Sequence, residues 1–144
     1  MTGQPLADWT ILIVDDDADN LGVAAEFLQF VGADVYTAVD GVEGLSVLER
    51  ISPTVILMDL SMPNMDGWQM LNRVREQKRT RPIPVIALTA HAMSSDRQRV
   101  FEHGFNGYIT KPFMLTTLLD EMKHWVAEGQ SADGSSAAAG SGVQ

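Results

Sequence analysis

Four short apolar runs in this 144-residue chain lead into residues that can do phosphate or metal chemistry. Ile11 to Val14 runs into Asp15, Asp16 and Asp17, and Val55 to Met58 runs into Asp59. Val85 to Leu88 is followed by Thr89, and Tyr108 to Ile109 by Lys111 and Pro112 just beyond. Carboxylates gathered in one place repel each other and raise at least one pKa unless a cation relieves them. A hard, oxygen-seeking ion does this, and Mg²⁺ is typically held by one or two carboxylates with water and phosphate oxygens. A phosphate on Asp59 is the natural further ligand. Lys111 can pair with that anion as a compact charge, and Thr89 can donate a hydrogen bond to it. Such groups supply positioning and charge neutralisation, the main protein contributions to phosphoryl transfer.

Taken singly, each residue has a plainer reading. An Asp triplet before a helix caps and solvates it. Asp59 can open a turn, Thr89 can end a core strand, Lys111 can be a surface charge, and Pro112 can start the last helix. Their shared placement sets them apart, because all follow predicted strands. Ligands of open α/β sheets gather at the carboxyl ends of the strands, where loops converge.

The elements that must position these residues are readable from periodicity. With a fifth run at Val35 to Ala38, the β-branched segments predict five strands, three of them apolar throughout, as in parallel strands covered on both faces. Helical stripes fall between them: Leu21, Ala24, Ala25, Leu28 and Val31, then Val42, Leu45, Leu48 and Ile51, then Trp68, Leu71 and Val74. The clearest stripe is the last, Leu115, Leu118, Leu119, Met122, Trp125 and Val126. Regular alternation of strand and helix predicts an α/β fold, a doubly wound parallel sheet with helices on both faces. Gly32 can end the first helix and Asp40 can cap the second. Pro53, Pro82 and Pro84 separate later elements. From Ser95 to His103 only Val100 and Phe101, with Met93 just before, offer apolar contact. At roughly 25 cal/mol per Å² buried, so small a face docks weakly, which marks this helix as the candidate mobile element.

Composition bounds the rest. Hydrophobic residues at 45% and charged residues at 20% describe one globular domain. The chain lacks cysteine, which excludes disulfides and thiolate metal sites. No apolar run suits a bilayer or a signal peptide, so a cytoplasmic location without membrane insertion is expected. A net charge of −9 argues against direct nucleic-acid binding. The local exception is Arg73, Arg75, Lys78, Arg79 and Arg81, read as a solvated turn complementing a helix C-terminus. From Gly129 onward, twelve of the last sixteen residues are Gly, Ser or Ala, the composition of a disordered tail or flexible linker. The expected organisation is an N-terminal extension at 1–8, one domain at 9–128 and a tail at 129–144.

The segments ILIVDDD, VILMDLSMPNMDG, PVIALTA and GYITKPF resemble the four motif blocks of response-regulator receiver domains, and the match runs from about Trp9 to Val126. The resemblance implies a flavodoxin-like five-stranded sheet of order 2-1-3-4-5. It implies that Asp59 is the phosphoacceptor and that Asp15 and Asp16 organise Mg²⁺, Asp16 being the preferred direct ligand. Asp59 and the backbone carbonyl of Ser61 would complete the protein's share of the metal. Thr89 would be the switch hydroxyl and Tyr108 its aromatic partner. Lys111 would bind the phosphoryl oxygens, with a cis Lys111–Pro112 bond. The positions two residues beyond Asp59 and Thr89, Ser61 and His91, would tune water access and hence the lifetime of the phosphorylated state.

The implied partners are a sensor histidine kinase or histidine phosphotransfer protein and a downstream protein target, with a homodimeric active form left open. Such a domain catalyses its own phosphorylation without being a turnover enzyme. Three alternatives stand beside this reading: a receiver detached from a hybrid kinase, a docking receiver independent of phosphorylation, and a Mg²⁺-dependent aspartyl-phosphate phosphatase. The last lacks its second motif acid, because Leu60 and Ser61 follow Asp59. A flavin-binding module is disfavoured by the three acids where its phosphate loop would lie. The chain's start close to the first strand and its Gly/Ser/Ala tail favour a free-standing regulator.

Overall fold

The computed structural model describes residues 4–90 and 94–138. His91 and Met93, singled out above, and residues 139–144 of the expected tail lie outside the described residues. Strand and helix alternate as β1 (Thr10–Val14), α1 (Ala18–Phe30), β2 (Asp34–Ala38), α2 (Gly41–Leu48) and β3 (Val55–Asp59). They continue as α3 (Gly67–Glu76), β4 (Val85–Thr89), α4 (Ser94–His103), β5 (Gly107–Thr110) and α5 (Leu115–Ala138). All strand pairs are parallel, in the order β2-β1-β3-β4-β5. This is the doubly wound sheet and the strand order expected above.

Side-chain parity divides the core. Ile11, Ile13, Val55, Leu57, Ile86 and Leu88 pack on one face with α1 and α5 residues such as Leu28, Leu118 and Met122. Their neighbours Leu12, Val14, Ile56, Met58, Val85 and Ala87 pack on the other with Val47, Met70, Leu71, Val74 and Val100. Successive residues of a strand point to opposite faces, so a continuous apolar run feeds both layers. Every residue of β3 and β4 is buried, whereas edge strand β2 is largely exposed.

Helix ends follow local chemistry. Asp17 caps α1 by accepting from the amides of Asp19 and Asn20, at 3.0 and 3.2 Å. Gly32 follows with a positive φ of 108°, a conformation that costs a residue without Cβ little. Asp40 caps α2 through the Glu43 amide at 2.9 Å, and Asp66 forms a reciprocal capping box with Gln69 on α3. Within the basic cluster, Arg73, Lys78, Arg79 and Arg81 are exposed, but Arg75 is not merely a solvated charge. Its guanidinium donates to the carbonyls of Arg81, Ile83 and Gly104 and to Asn106 Oδ1, at 2.7–2.9 Å. Arg75 thereby ties the end of α3 to the entry of β4 and to the loop after α4.

Two boundaries differ from the sequence reading. The last helix runs on past Glu128 to Ala138, into the Gly/Ser/Ala-rich segment. Leu6, in the segment read as an extension, is fully buried in the core cluster that contains Ile11 and Leu28. Its amide donates to the Val31 carbonyl at 3.0 Å, closing the base of α1. No described helix is long and apolar enough to cross a membrane. Leu6→Ala is expected to lower the unfolding free energy by about 2–5 kcal/mol, the usual range for a buried leucine. Urea denaturation followed by circular dichroism checks this, and an unchanged midpoint would return residues before Trp9 to the status of an appendage.

Candidate functional site

Strand register brings the chemically capable residues to one edge. Val14 pairs with Met58, Asp59 with Leu88 and Thr89 with Thr110, so the residues that follow converge at the carboxyl ends of β1, β3, β4 and β5. Two backbone bonds fix neighbouring loops: Asp15 donates to the Ala38 carbonyl at 3.0 Å, and Lys111 to the Thr89 carbonyl at 2.7 Å. The Lys111–Pro112 peptide bond is cis, as the resemblance implied.

Asp15, Asp59 and Thr89 are buried, with 1%, 5% and 6% of their surface exposed, while Asp16 is exposed. Ligand oxygens of Asp15, Asp16 and Asp59 lie within 4.8 Å of one another. The Lys111 ammonium sits 3.2 Å from Asp59 Oδ2 and 3.3 Å from Asp15 Oδ2. Each buried carboxylate uses its other oxygen on backbone: Asp59 Oδ1 accepts from the Ser61 amide at 3.1 Å, and Asp15 Oδ1 from the Asp17 amide at 2.9 Å. Asp15 Oδ2 accepts no hydrogen bond among the described residues, although the ammonium is close. A buried carboxylate oxygen in that condition beside two further carboxylates fits a hard cation.

Electrostatics follow from burial. Desolvation pushes Asp59 up to about 6 from 3.8; the Ser61 amide opposes this, the Asp15 charge adds to it, and Lys111 opposes it. Burial alone would lower the Lys111 pKa, but the carboxylates of Asp59 and then Asp15 outweigh it and raise the ammonium above its ordinary value. The third acid of the triplet, Asp17, spends its side chain on capping α1, which is the plain reading confirmed for that residue alone.

Above these residues opens a cleft of about 620 Å³ that Asp16, Asp59, Ser61, Thr89 and Lys111 line. Tyr108 does not line it. Its ring packs against the core cluster of Val85, Ala87 and Val100, 5.6 Å from Trp125 and 6.1 Å from Phe101, and its hydroxyl accepts from Arg97 at 3.2 Å. The floor of the cleft depends on Gly67, the first residue of α3. Its amide donates to the Leu60 carbonyl at 3.1 Å, and a Cβ there would collide with the Asp59 carbonyl oxygen.

Trp68, Asp96 and Arg99 complete the cleft wall. The Arg99 guanidinium lies 4.9 Å from the centroid of the Trp68 ring and 4.0 Å from Asp96. A partly exposed pair one helical turn apart contributes about 0.5 kcal/mol or less, and a cation over a half-buried indole about 1 kcal/mol. Sequence reasoning missed Asp96 and Arg99, because a polar helix carries no periodic signal that tells which of its charges faces a site.

A family model for the response regulator receiver domain matches residues 11–123. An uncharacterized 14.6 kDa protein encoded beside sodA1 in Leptolyngbya boryana is 45% identical over 109 residues, 76% of this chain and 83% of its own. The DNA-binding dual master transcriptional regulator RpaA of Synechocystis is 36% identical over 78% of this chain, yet the match spans only 47% of its length. Sensor histidine kinase RcsC of Salmonella typhimurium is 38% identical over 77% of this chain and 12% of its own. Among solved structures, chemotaxis response regulator CheY4 of Vibrio cholerae superposes with a TM-score of 0.78 at 31% identity, covering 81% of this chain and 98% of that one. The receiver domain of sensor histidine kinase PA1611 from Pseudomonas aeruginosa, solved with magnesium in its active site cleft, gives 0.74 at 34% identity, covering 83% and 98%. With its sheet order, acidic edge and family match in agreement, this chain belongs to the response regulator receiver domains of two-component signalling.

Proposed function

We propose that this receiver acts in the cytoplasm, takes a phosphoryl group onto Asp59 from a phosphohistidine of a sensor kinase or phosphotransfer protein, and then changes its contacts with a protein target. The observation that carries this reading is the Lys111 ammonium held between two buried carboxylates, at 3.2 and 3.3 Å, beneath an open cleft. In the transfer, a carboxylate oxygen of Asp59 bonds to phosphorus as the donor P–N bond breaks, and that electron pair returns to the imidazole. The product is a mixed anhydride on Asp59. Lys111 neutralises phosphoryl oxygens as a point charge, and the Ser61 amide holds the attacking carboxylate in place.

Asp15, Asp16 and Asp59, with the Ser61 carbonyl, would hold Mg²⁺, in keeping with the hydrogen-bond-free Asp15 Oδ2 and the mutual reach of the three carboxylates. Bound there, the ion would supply charge neutralisation between carboxylates and phosphoryl oxygens. The chain's own residues do the remainder: Lys111 orients the group, and Thr89, on the wall of the same cleft, donates to it. Phosphorylation adds roughly 1.5 to 2 negative charges and three acceptor oxygens. Thr89 is drawn to them, and Tyr108 leaves Arg97 and Trp125 to fill the space behind it. Helix α4, whose described side chains bury only Val100, is the element free to follow. Moving such an equilibrium from 1:99 to 99:1 needs about 5.5 kcal/mol of differential interaction. Charge-assisted hydrogen bonds of about 1.5–3 kcal/mol each supply a large share.

Three outcomes test this. Mg²⁺ followed by beryllofluoride should change tryptophan fluorescence, because Trp68 lines the cleft. Asp59→Asn should abolish the beryllofluoride step; a variant that retained it would move the acceptor elsewhere. Thr89→Ala should keep the beryllofluoride shift of the Trp68 indole in NMR spectra while shrinking that of Trp125, and an undiminished Trp125 response would break the proposed coupling.

A further outcome concerns pH. Asp59 holds its proton more tightly folded than unfolded, so the folded chain carries more protons between about pH 4 and 6 and loses stability as pH rises through that window. Removing the charge removes the cost. Under chelator at about pH 7.5, Asp59→Asn should raise the unfolding free energy by roughly 1–3 kcal/mol, and the gain should fade towards pH 4. Denaturant titrations at the two pH values check the sign.

A further inference from the structure

Helix α4 presents Asp96, Arg99 and His103 at helical spacing toward α3. Arg99 lines the same cleft as Asp59 and Lys111. Its guanidinium rests over the Trp68 indole at 4.9 Å, and its pairing with the half-buried Asp96 is at 4.0 Å, with Arg99 itself exposed. Trp68 is also braced by His103, with ring centroids 4.6 Å apart, and by Phe105 at 5.5 Å. The indole follows Gly67, which packs so close to the Asp59 carbonyl that a Cβ there would collide with it. The result is a cation held by two weak ties on an aromatic platform that lines the same cleft as Asp59.

A phosphoryl group brings three acceptor oxygens to this place. Lys111 is already shared between Asp15 and Asp59. An arginine offers five donors in a planar fork that matches phosphate oxygens better than an ammonium does. We propose that Arg99 is a phosphoryl-sensing residue: it rests on Trp68 when Asp59 is bare and turns to the phosphoryl oxygens when Asp59 is loaded, drawing α4 with it. This inference rests on the reading of Asp59 as the acceptor, and its route is separate from that of Thr89 and Tyr108.

The fold gives the motion a direction. Arg75 holds the carbonyl of Gly104 at 2.9 Å and Asn106 Oδ1 at 2.8 Å, which pins the C-terminal end of α4. Gly104 has a φ of 109° at the joint. A pull at Arg99 therefore swings the helix about its fixed C-terminal end.

The test uses the full chain and its Arg99→Gln and Arg99→Lys variants, with Mg²⁺ alone and with Mg²⁺ plus beryllofluoride as probes. Arg99→Gln should weaken beryllofluoride binding about tenfold, the loss of one charge-assisted hydrogen bond. The same variant should bind Mg²⁺ alone at least as tightly, because a cation has left an acidic cleft. Arg99→Lys should recover part of the beryllofluoride affinity. In the wild type the Arg99 Nε–H and Trp68 indole signals should shift together on beryllofluoride addition. Equal beryllofluoride affinity in Arg99→Gln and wild type overturns the inference while leaving the acceptor reading intact. Parallel losses for both probes, with a lowered urea midpoint, overturn it in favour of a purely structural arginine. A wild type that binds Mg²⁺ but no beryllofluoride removes the acceptor reading and this inference together.

Discussion

Two carboxylates buried at a sheet edge repel each other, and one ammonium lies between them. At an effective dielectric near 20, unit charges about 4 Å apart interact by about 4 kcal/mol, so the spacing of Asp15, Asp59 and Lys111 outweighs any single packing contact nearby. One cation does not balance two carboxylates, and Asp16 adds a third. Burial pushes Asp59 up to about 6, with the Asp15 charge adding to the shift, and Asp15 Oδ2 has the ammonium near but no hydrogen bond among the described residues. On the proposed reading, added charge of opposite kinds, a hard cation and a phosphoryl group, would complete the edge.

The rest of the fold holds that edge and leaves one element thinly docked. Parallel register places the ends of β1, β3, β4 and β5 side by side. Gly67 lets α3 start against the Asp59 peptide, which carries Trp68 to the mouth of the cleft. Caps at Asp17, Asp40 and Asp66 satisfy helix starts without drawing on the site acids. By contrast α4 is bound to the core through Val100, while Arg75 anchors the loop beyond it. A helix fixed at one end and thinly buried along its length is suited to a two-state response.

The strands and their order were legible because parallel strands covered on both faces leave continuous β-branched runs, and because each run ends in a residue with distinct chemistry. The cap at Asp40 and the stop at Gly32 were legible because they act within a few residues of their own position. Contacts that join distant segments were not. Leu6 is a lone apolar residue beside Pro5, without periodicity to announce that it plugs the base of α1. Arg75 reads as one of five surface cations, and only the folded chain brings carbonyls from the entry of β4 and the loop after α4 around it. Tyr108 was read correctly as lying on the last strand, but only the structure places its ring with Phe101 and Trp125, away from the cleft.

The central claim is that Asp59 is the residue on which the phosphoryl group resides, and chemical mapping tests it most directly. The chain would be incubated with phosphoramidate and Mg²⁺, reduced with borohydride to convert an acyl phosphate to homoserine, and sequenced by mass spectrometry. The account predicts homoserine at position 59 alone, dependent on Mg²⁺ and absent when chelator is added first. Conversion at another acid, or none at 59 with the metal present, would contradict it.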